Sequence, residues 1–215
     1  MTRQETGVLA FTATYMILGA YRACASANHE FQFYLVTMVL LITAVLVVHR
    51  HIRLSPGLLW GLSLWGALHL IGGMVTLPDG LAVSGTKHVW YNWWLIPERL
   101  RYDQVVHAFG FGMTTWLCWQ ALTAAMARRH PARQPLRPTW GLAVLCMAAG
   151  MGFGALNEVV EFAATLTVPD TNVGGYENTG WDLVANLVGA SMAMLLIAAT
   201  ASRKTHASPR ETSSR

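Results

Sequence analysis

The chain has 215 residues, of which 53% are hydrophobic and 12% are charged, whereas about 25% of the residues in a soluble domain are charged. This balance excludes an ordinary soluble globular protein and indicates a single polytopic membrane domain. The formal net charge of +4 does not indicate nucleic-acid binding, because the basic residues lie in short loops and in the C-terminal tail.

Six apolar runs are each long enough to cross a hydrocarbon core of about 30 Å, and they predict an all-α bundle of about six transmembrane helices. The runs cover residues 7–25, 31–48, 57–77, 103–126, 138–167 and 181–201. The first run has no convincing small-residue cleavage site after a basic segment, so we interpret it as a retained helix. Residues 1–201 are expected to form one transmembrane domain. Residues 202–215, rich in Ser, Thr and Arg, are expected to be a disordered cytoplasmic tail.

Positive charge is concentrated in alternate connections of this bundle. Residues 49–53 join the second and third helices, residues 128–137 join the fourth and fifth, and Arg203 with Lys204 begins the tail. Because such loops face the cytoplasm, we expect both termini to be cytoplasmic and residues 26–30, 79–100 and 169–180 to lie outside.

The long outer connection contains an aromatic cluster formed by Trp90, Tyr91, Trp93 and Trp94. Such rings prefer the headgroup layer, so the cluster is expected to be an interfacial segment. Two roles remain open for it: a simple membrane anchor, or the wall of a site that faces lipid.

Several ionisable and amide side chains interrupt the third to sixth apolar runs. Each ionisable group at such a depth costs about 2.5–3.5 kcal/mol on insertion scales and normally faces a protein interior or a wet cavity. They are His69 on the third helix, Asp103 and His107 on the fourth, Asn157, Glu158 and Glu161 on the fifth, and Asp182 and Asn186 on the sixth.

The spacing of these residues predicts that they converge. The pairs on the fourth, fifth and sixth helices are three or four positions apart, so each pair shares one helix face. The expected topology places all three pairs in the outer half of the membrane, and His69 reaches the same level. Mutual hydrogen bonds or a bound cation would remove the cost of burial.

Carboxylates and imidazoles from facing helices are ligands for hard and borderline divalent metal ions. We therefore predict a site for a divalent metal ion whose ligands are His107, Glu158, Glu161, Asp182 and Asn186. Two alternatives remain open at this point: a hydrogen-bonded cluster that relays protons, and a polar knot with a purely structural role.

The order of these motifs resembles the bacterial inner-membrane YjdF family and, more distantly, the VanZ-like family. The resemblance rests on segments 68–73 (LHLIGG), 102–110 (YDQVVHAFG), 157–161 (NEVVE), 181–182 (WD) and 189–190 (GA). It departs from the YjdF pattern at Phe162, where a Trp is expected. The resemblance implies a small multi-pass protein of the bacterial inner membrane without naming a reaction.

Three functions fit these features. The first is a metal-assisted enzyme that acts on a membrane lipid or lipid-linked substrate, with His69, Asp103 and Glu158 as catalytic residues. The second is a proton- or ion-coupled transporter, although the inner halves of the helices carry few polar residues apart from Gln120. The third is a non-catalytic membrane scaffold in which the cluster sets helix register.

Overall fold

The computed structural model describes residues 2–131 and 136–206, and six long helices account for most of this part of the chain. Their bounds are α1 Arg3–Ala25, α2 His29–Ile52, α3 Pro56–Met74, α4 Tyr102–Arg129, α5 Trp140–Thr167 and α6 Tyr176–His206. A 3-10 turn at Trp90–Asn92 and two short strands, β1 Trp94–Ile96 and β2 Leu100–Arg101, lie between α3 and α4. The predicted all-α membrane fold is confirmed.

Local sequence signals set several helix starts. Thr2 and Glu5 form a capping box, with the Glu5 amide donating to the Thr2 hydroxyl at 3.2 Å. Asn28 caps α2 by accepting from the Phe31 amide at 3.0 Å. Pro56 occupies the first turn of α3, where its missing N–H costs no hydrogen bond.

Five of the six helices are long and apolar enough to cross a membrane; α4 is long enough but more polar. It nevertheless runs antiparallel along α3: the Tyr102 hydroxyl donates to the Leu68 carbonyl at 3.1 Å, and the Gln120 side chain donates to the Ser55 hydroxyl at 2.7 Å. Because these contacts lie near opposite ends of α3, α4 extends through the same thickness of the bundle.

The two ends of the bundle differ. The basic end carries the α2–α3 connection, the start of α1 and the end of α4, where the Arg128 guanidinium donates to the His51 carbonyl. The capped end is covered by residues 75–101 and 168–175. There β1 and β2 pair antiparallel, with Trp94 opposite Arg101.

The end of the sixth helix departs from the expected domain boundary. Helix α6 continues to His206, and within it the Ser202 hydroxyl donates to the Ala198 carbonyl at 3.1 Å. The helical part of the domain therefore extends past residue 201. The remainder of the expected disordered tail, residues 207–215, lies outside the described residues.

A polar cluster fastens the capped end to the helices. The Asn172 amide donates to both carboxylate oxygens of Glu30, at 2.9 and 3.0 Å, and its side chain exchanges hydrogen bonds with Asn92 at 3.0 and 3.1 Å. Lys87 lies 3.1 Å from an Asp170 oxygen. These contacts join α2, the α3–α4 segment and the α5–α6 loop, so the capped end forms one cover over the helix ends.

Candidate metal centre

Polar side chains from α4, α5 and α6 surround one imidazole, that of His107, which is 4% exposed. Its Nδ1 lies 3.2 Å from Asn186 Oδ1 and 3.9 Å from Glu158 Oε1. Its Nε2 lies 3.7 Å from Asp103 Oδ1 and 3.9 Å from Glu161 Oε1. Each ring nitrogen therefore faces a carboxylate, and Nδ1 also contacts an amide oxygen.

Helix α6 contributes two fully buried residues, Asp182 and Asn186. The Asn178 amide, one turn earlier on the same helix, donates to Asp182 Oδ2 at 2.5 Å. The Arg101 guanidinium donates in turn to Asn178 Oδ1. A line of polar contacts therefore leads from the capped end of the bundle down to the buried carboxylate of Asp182.

Three carboxylate oxygens of this cluster are buried without a hydrogen-bond partner. Among residues 2–131 and 136–206, no group with hydrogen-bond geometry donates to either oxygen of Glu158 or to Oδ1 of Asp182, although Thr179 and Asn157 lie near Glu158. Buried polar atoms are normally hydrogen-bonded, because an unpaired one forfeits its interaction with water. Unpaired oxygens on two acids, close to further acids, are therefore positioned to bind a cation.

Two overlapping groups of side chains at this position have the residue types that bind metal ions. One is Asp103, His107 and Asp182; the other is His107, Glu158 and Glu161. In each group the possible ligand atoms all lie within 4.8 Å of one another. Ligands about 2.0–2.2 Å from one ion are spaced a little more closely than this, so modest side-chain movement would complete coordination. One imidazole with several carboxylates is a donor set for a hard or borderline divalent ion.

His69 lies outside both of these groups. Its Nδ1 forms a hydrogen bond with the Tyr91 hydroxyl, and its ring packs against the rings of Tyr34 and Tyr91. Burial holds the pKa of the Tyr91 phenol well above its usual range, so the hydroxyl keeps a proton that it can donate to Nδ1. In the tautomer that accepts this hydrogen bond, His69 carries its own proton on Nε2, which suits hydrogen-bond donation better than metal binding.

Small residues allow α6 to approach α4 and α5 closely enough for these contacts. A Cβ on Gly189 would overlap the carbonyl oxygen of Ala108 on α4. A Cβ on Gly154 would lie 2.6 Å from the amide nitrogen of Asn186. Backbones can come this close only where side chains are absent, and such contacts are typical of helix packing in membranes.

The sequence reasoning did not assign a site role to three residues that contact the cluster. Asn178 was missed because the apolar run begins at 181, whereas α6 begins at Tyr176. The sequence did place Asn178 four residues before Asp182, a spacing that puts both side chains on one face of a helix. Asn157 donates to Glu161 Oε1 at 2.8 Å, also across four residues. No sequence signal placed Tyr91 beside His69, because 22 residues separate them.

Comparison with known proteins gives one family. The model of the family described as "Predicted membrane protein (DUF2238)" matches residues 6–203, which include every residue of the cluster. No curated protein and no solved structure matches the chain. The match supports a membrane protein family.

Proposed function

We propose a metal-assisted enzymatic function for this chain, which belongs to the DUF2238 family of predicted membrane proteins. The substrate is a membrane lipid or a lipid-linked molecule. The observation that carries the proposal is the set of three buried, unpaired carboxylate oxygens on Glu158 and Asp182, beside the His107 imidazole. A divalent cation in the group of His107, Glu158 and Glu161 would satisfy oxygens of Glu158, and one in the group of Asp103, His107 and Asp182 would satisfy Oδ1 of Asp182. Either cation would offset the repulsion among the neighbouring acids.

Each residue of the cluster has a role in this proposal. His107 holds the ion with Glu158 and Glu161, or with Asp103 and Asp182, the two groups whose possible ligand atoms lie within 4.8 Å of one another. Asn186 accepts from His107 Nδ1, which directs the lone pair of Nε2 towards Asp103 and Glu161. The predicted role of Asn186 as a ligand thus becomes that of a positioning residue.

The chemistry follows from what such an ion does in a buried site. It polarises a phosphoryl or carbonyl oxygen and lowers the pKa of a bound water. Glu158, with both oxygens free of hydrogen bonds, is the candidate acceptor for the proton of that water. Asp103 is the alternative acceptor, and His69 Nε2–H is a candidate donor to the substrate.

The basic end of the bundle is proposed to face the cytoplasm of a bacterium, with both termini inside and the cluster near the outer leaflet. The likeness to the YjdF and VanZ-like families belongs to this proposal, as does a location in the bacterial inner membrane. The substrate would then approach from the outer leaflet, beneath the cover formed by the capped end.

Two features favour an enzyme over the other functions considered. Trp119, Cys146 and Met194 form a buried apolar cluster between α4, α5 and α6 on the side towards the basic end, where a transport path would have to continue. A structural polar knot would pair its buried oxygens, whereas Glu158 leaves both of its own unpaired.

Metal content of the purified full-length protein tests the proposal. We expect about one equivalent of a divalent ion in wild type by element-resolved mass spectrometry. Glu158→Gln and Glu161→Gln should each lower occupancy at least about tenfold, the lower end of the range for disturbing a metal's surroundings. Glu177→Gln is the matched control, because Glu177 is exposed on the first turn of α6.

Activity is then measured on the metal-loaded protein in mixed micelles, as phosphate or fatty-acid release from phosphatidic acid, phosphatidylglycerol and a prenyl diphosphate. Turnover that disappears in Glu158→Gln and persists in Glu177→Gln supports the enzyme. Wild-type protein that contains no stoichiometric divalent ion, even after incubation with Mn²⁺ or Zn²⁺, overturns the proposal.

A further inference from the structure

A cavity of about 150 Å³ lies between α1, α2, α3 and α5, on the opposite side of the bundle from α6. We call it the lateral groove. Its polar end is formed by His69, Asn157 and Glu161. The rest of its wall is formed mainly by apolar side chains of α1, α2 and α3, such as Val45 and Leu59.

Three of the hydroxyls along the apolar part of the wall are already hydrogen-bonded. The hydroxyls of Thr12 and Ser63 bond each other at 2.6 Å, and the Thr37 hydroxyl donates to the Phe33 carbonyl at 3.4 Å. A polar guest would find few partners here and would lose its own hydration. The wall is therefore suited to a hydrocarbon.

The groove is open sideways to the lipid. Leu41 and Leu46 of α2 both line it, yet they remain 49% and 37% exposed. On α3 it extends from Leu59 to His69, ten residues or about 15 Å of helix. This length is about half of a 30 Å hydrocarbon core, the depth of one leaflet.

The polar end of the groove is part of the candidate metal centre. Glu161 lines the groove, and its Oε1 also lies 3.9 Å from His107 Nε2. Asn157 lines the groove as well and donates to the same oxygen at 2.8 Å. A molecule with its chain in the groove would therefore place its polar head beside the cluster.

We infer that the lateral groove binds one hydrocarbon chain of a phosphate-bearing bilayer lipid and brings its headgroup to Glu161 and the metal centre. The inference rests on the proposed function and specifies its substrate class as a lipid that enters sideways from the bilayer. A hydrocarbon chain suits the groove because the groove is about as long as one leaflet is deep. The exposed lining residues of α2 leave a side through which the chain can enter. The cation that these acids would hold would supply the positive charge that attracts the phosphate.

Photo-crosslinking in lipid nanodiscs tests the inference, with phosphatidic acid that carries a diazirine in the middle of one acyl chain. Two matched tryptophan variants of α2 are compared with wild type. Ile42→Trp fills the groove, because Ile42 lines it. Leu40→Trp adds the same bulk on a side chain that is 66% exposed and does not line the groove.

We expect the probe to label residues 62–66 of α3 in wild type and in Leu40→Trp. Ile42→Trp should lower this labelling about tenfold, equivalent to about 1.4 kcal/mol, relative to labelling of the exposed Leu195 region of α6. Equal labelling of 62–66 in both variants, or none in wild type, overturns the inference. Thermal melting of each variant confirms that it is folded before it is compared.

The same experiment on Glu158→Gln separates this inference from the proposed function. Chain labelling that persists in this variant supports the groove independently of metal, and the groove would stand even if wild type held no metal. Stoichiometric metal in a wild-type protein whose groove stays unlabelled overturns the groove and leaves the metal centre intact.

Discussion

In the half of the bundle formed by α4, α5 and α6, glycines at the contacts among these helices face backbone or short side chains of the next helix, whereas in the half formed by α1, α2 and α3 glycines face large side chains. In the first half Gly112 lies against Gly189, and a Cβ on Gly112 would be 3.1 Å from the Gly189 carbonyl oxygen. In the second half Phe31, Tyr34 and Leu70 fill the space between helices. Where the backbones of α4, α5 and α6 lie close together, acidic side chains and His107 form groups whose possible ligand atoms lie within 4.8 Å of one another. Where bulky side chains hold α1, α2 and α3 apart, a groove remains between the helices.

The two halves meet at the cluster. His107, Asp182 and Asn186 belong to the closely packed half and are buried, and Glu161 also lines the groove on the other side. Close packing therefore holds the polar groups together, and looser packing leaves the groove that we infer to admit a lipid chain. Substitutions that change one half and spare the other test this division.

The largest expected effect comes from Gly189→Ala in the closely packed half. The added Cβ overlaps the Ala108 carbonyl, and since backbone cannot swing aside, we expect a loss of about 3 kcal/mol. This corresponds to a decrease in Tm of about 10 °C for a chain of this length. Melting in detergent, followed by size-exclusion chromatography, measures it.

Gly152→Ala on α5 is the matched control, because its Cβ would meet nothing within 4 Å. This variant should melt at or slightly above the wild-type temperature, since alanine favours helix more than glycine by about 1 kcal/mol. Equal Tm values for the two alanine variants would contradict the close approach of α6 to α4 at Gly189.

The next largest effect is expected for the stability of Glu158→Gln. Its size depends on whether a divalent metal ion is present. In chelator, Glu158→Gln should be at least as stable as wild type, because the amide removes one of several neighbouring buried negative charges. With Mn²⁺ or Zn²⁺ at about one hundred times Kd, wild type should gain about 2.7 kcal/mol, or about 5–10 °C in Tm.

Glu158→Gln should gain much less from the same ions, and the exposed control Glu177→Gln should follow wild type in both conditions. A wild-type Tm that is identical in chelator and in metal would favour a hydrogen-bonded or proton-relay cluster over a cation site.

The smallest effect is expected at the boundary between the capped end and the groove. Tyr91→Phe leaves His69 Nδ1 buried without its hydrogen-bond donor, at a cost of about 1–2 kcal/mol and about 5 °C in Tm. Tyr176→Phe, at a side chain that is 95% exposed, should leave Tm unchanged. If both variants melt like wild type, the capped end does not hold His69 in place.

Most of the fold could be predicted from local properties of the chain. Apolar runs of membrane-spanning length located all six helices, with ends within a few residues of those observed, because the cost of placing polar backbone in lipid makes long helices obligatory. The largest errors, five residues at each end of α6, arose because residues 176–180 and 202–206 are mostly polar and flank the apolar run. The apolar runs also did not reveal that α4 is more polar than the other five helices.

Residue type and helical spacing were enough to show which residues are costly to bury and which of them share a helix face, since both are local properties. Tertiary contacts were needed to show that His107 lies at the centre, that His69 pairs with Tyr91 instead of joining the acids, and that Asn178 supports Asp182. Those outcomes depend on how closely helices approach and on where the α3–α4 segment folds back. Both are set by contacts between residues far apart in the chain.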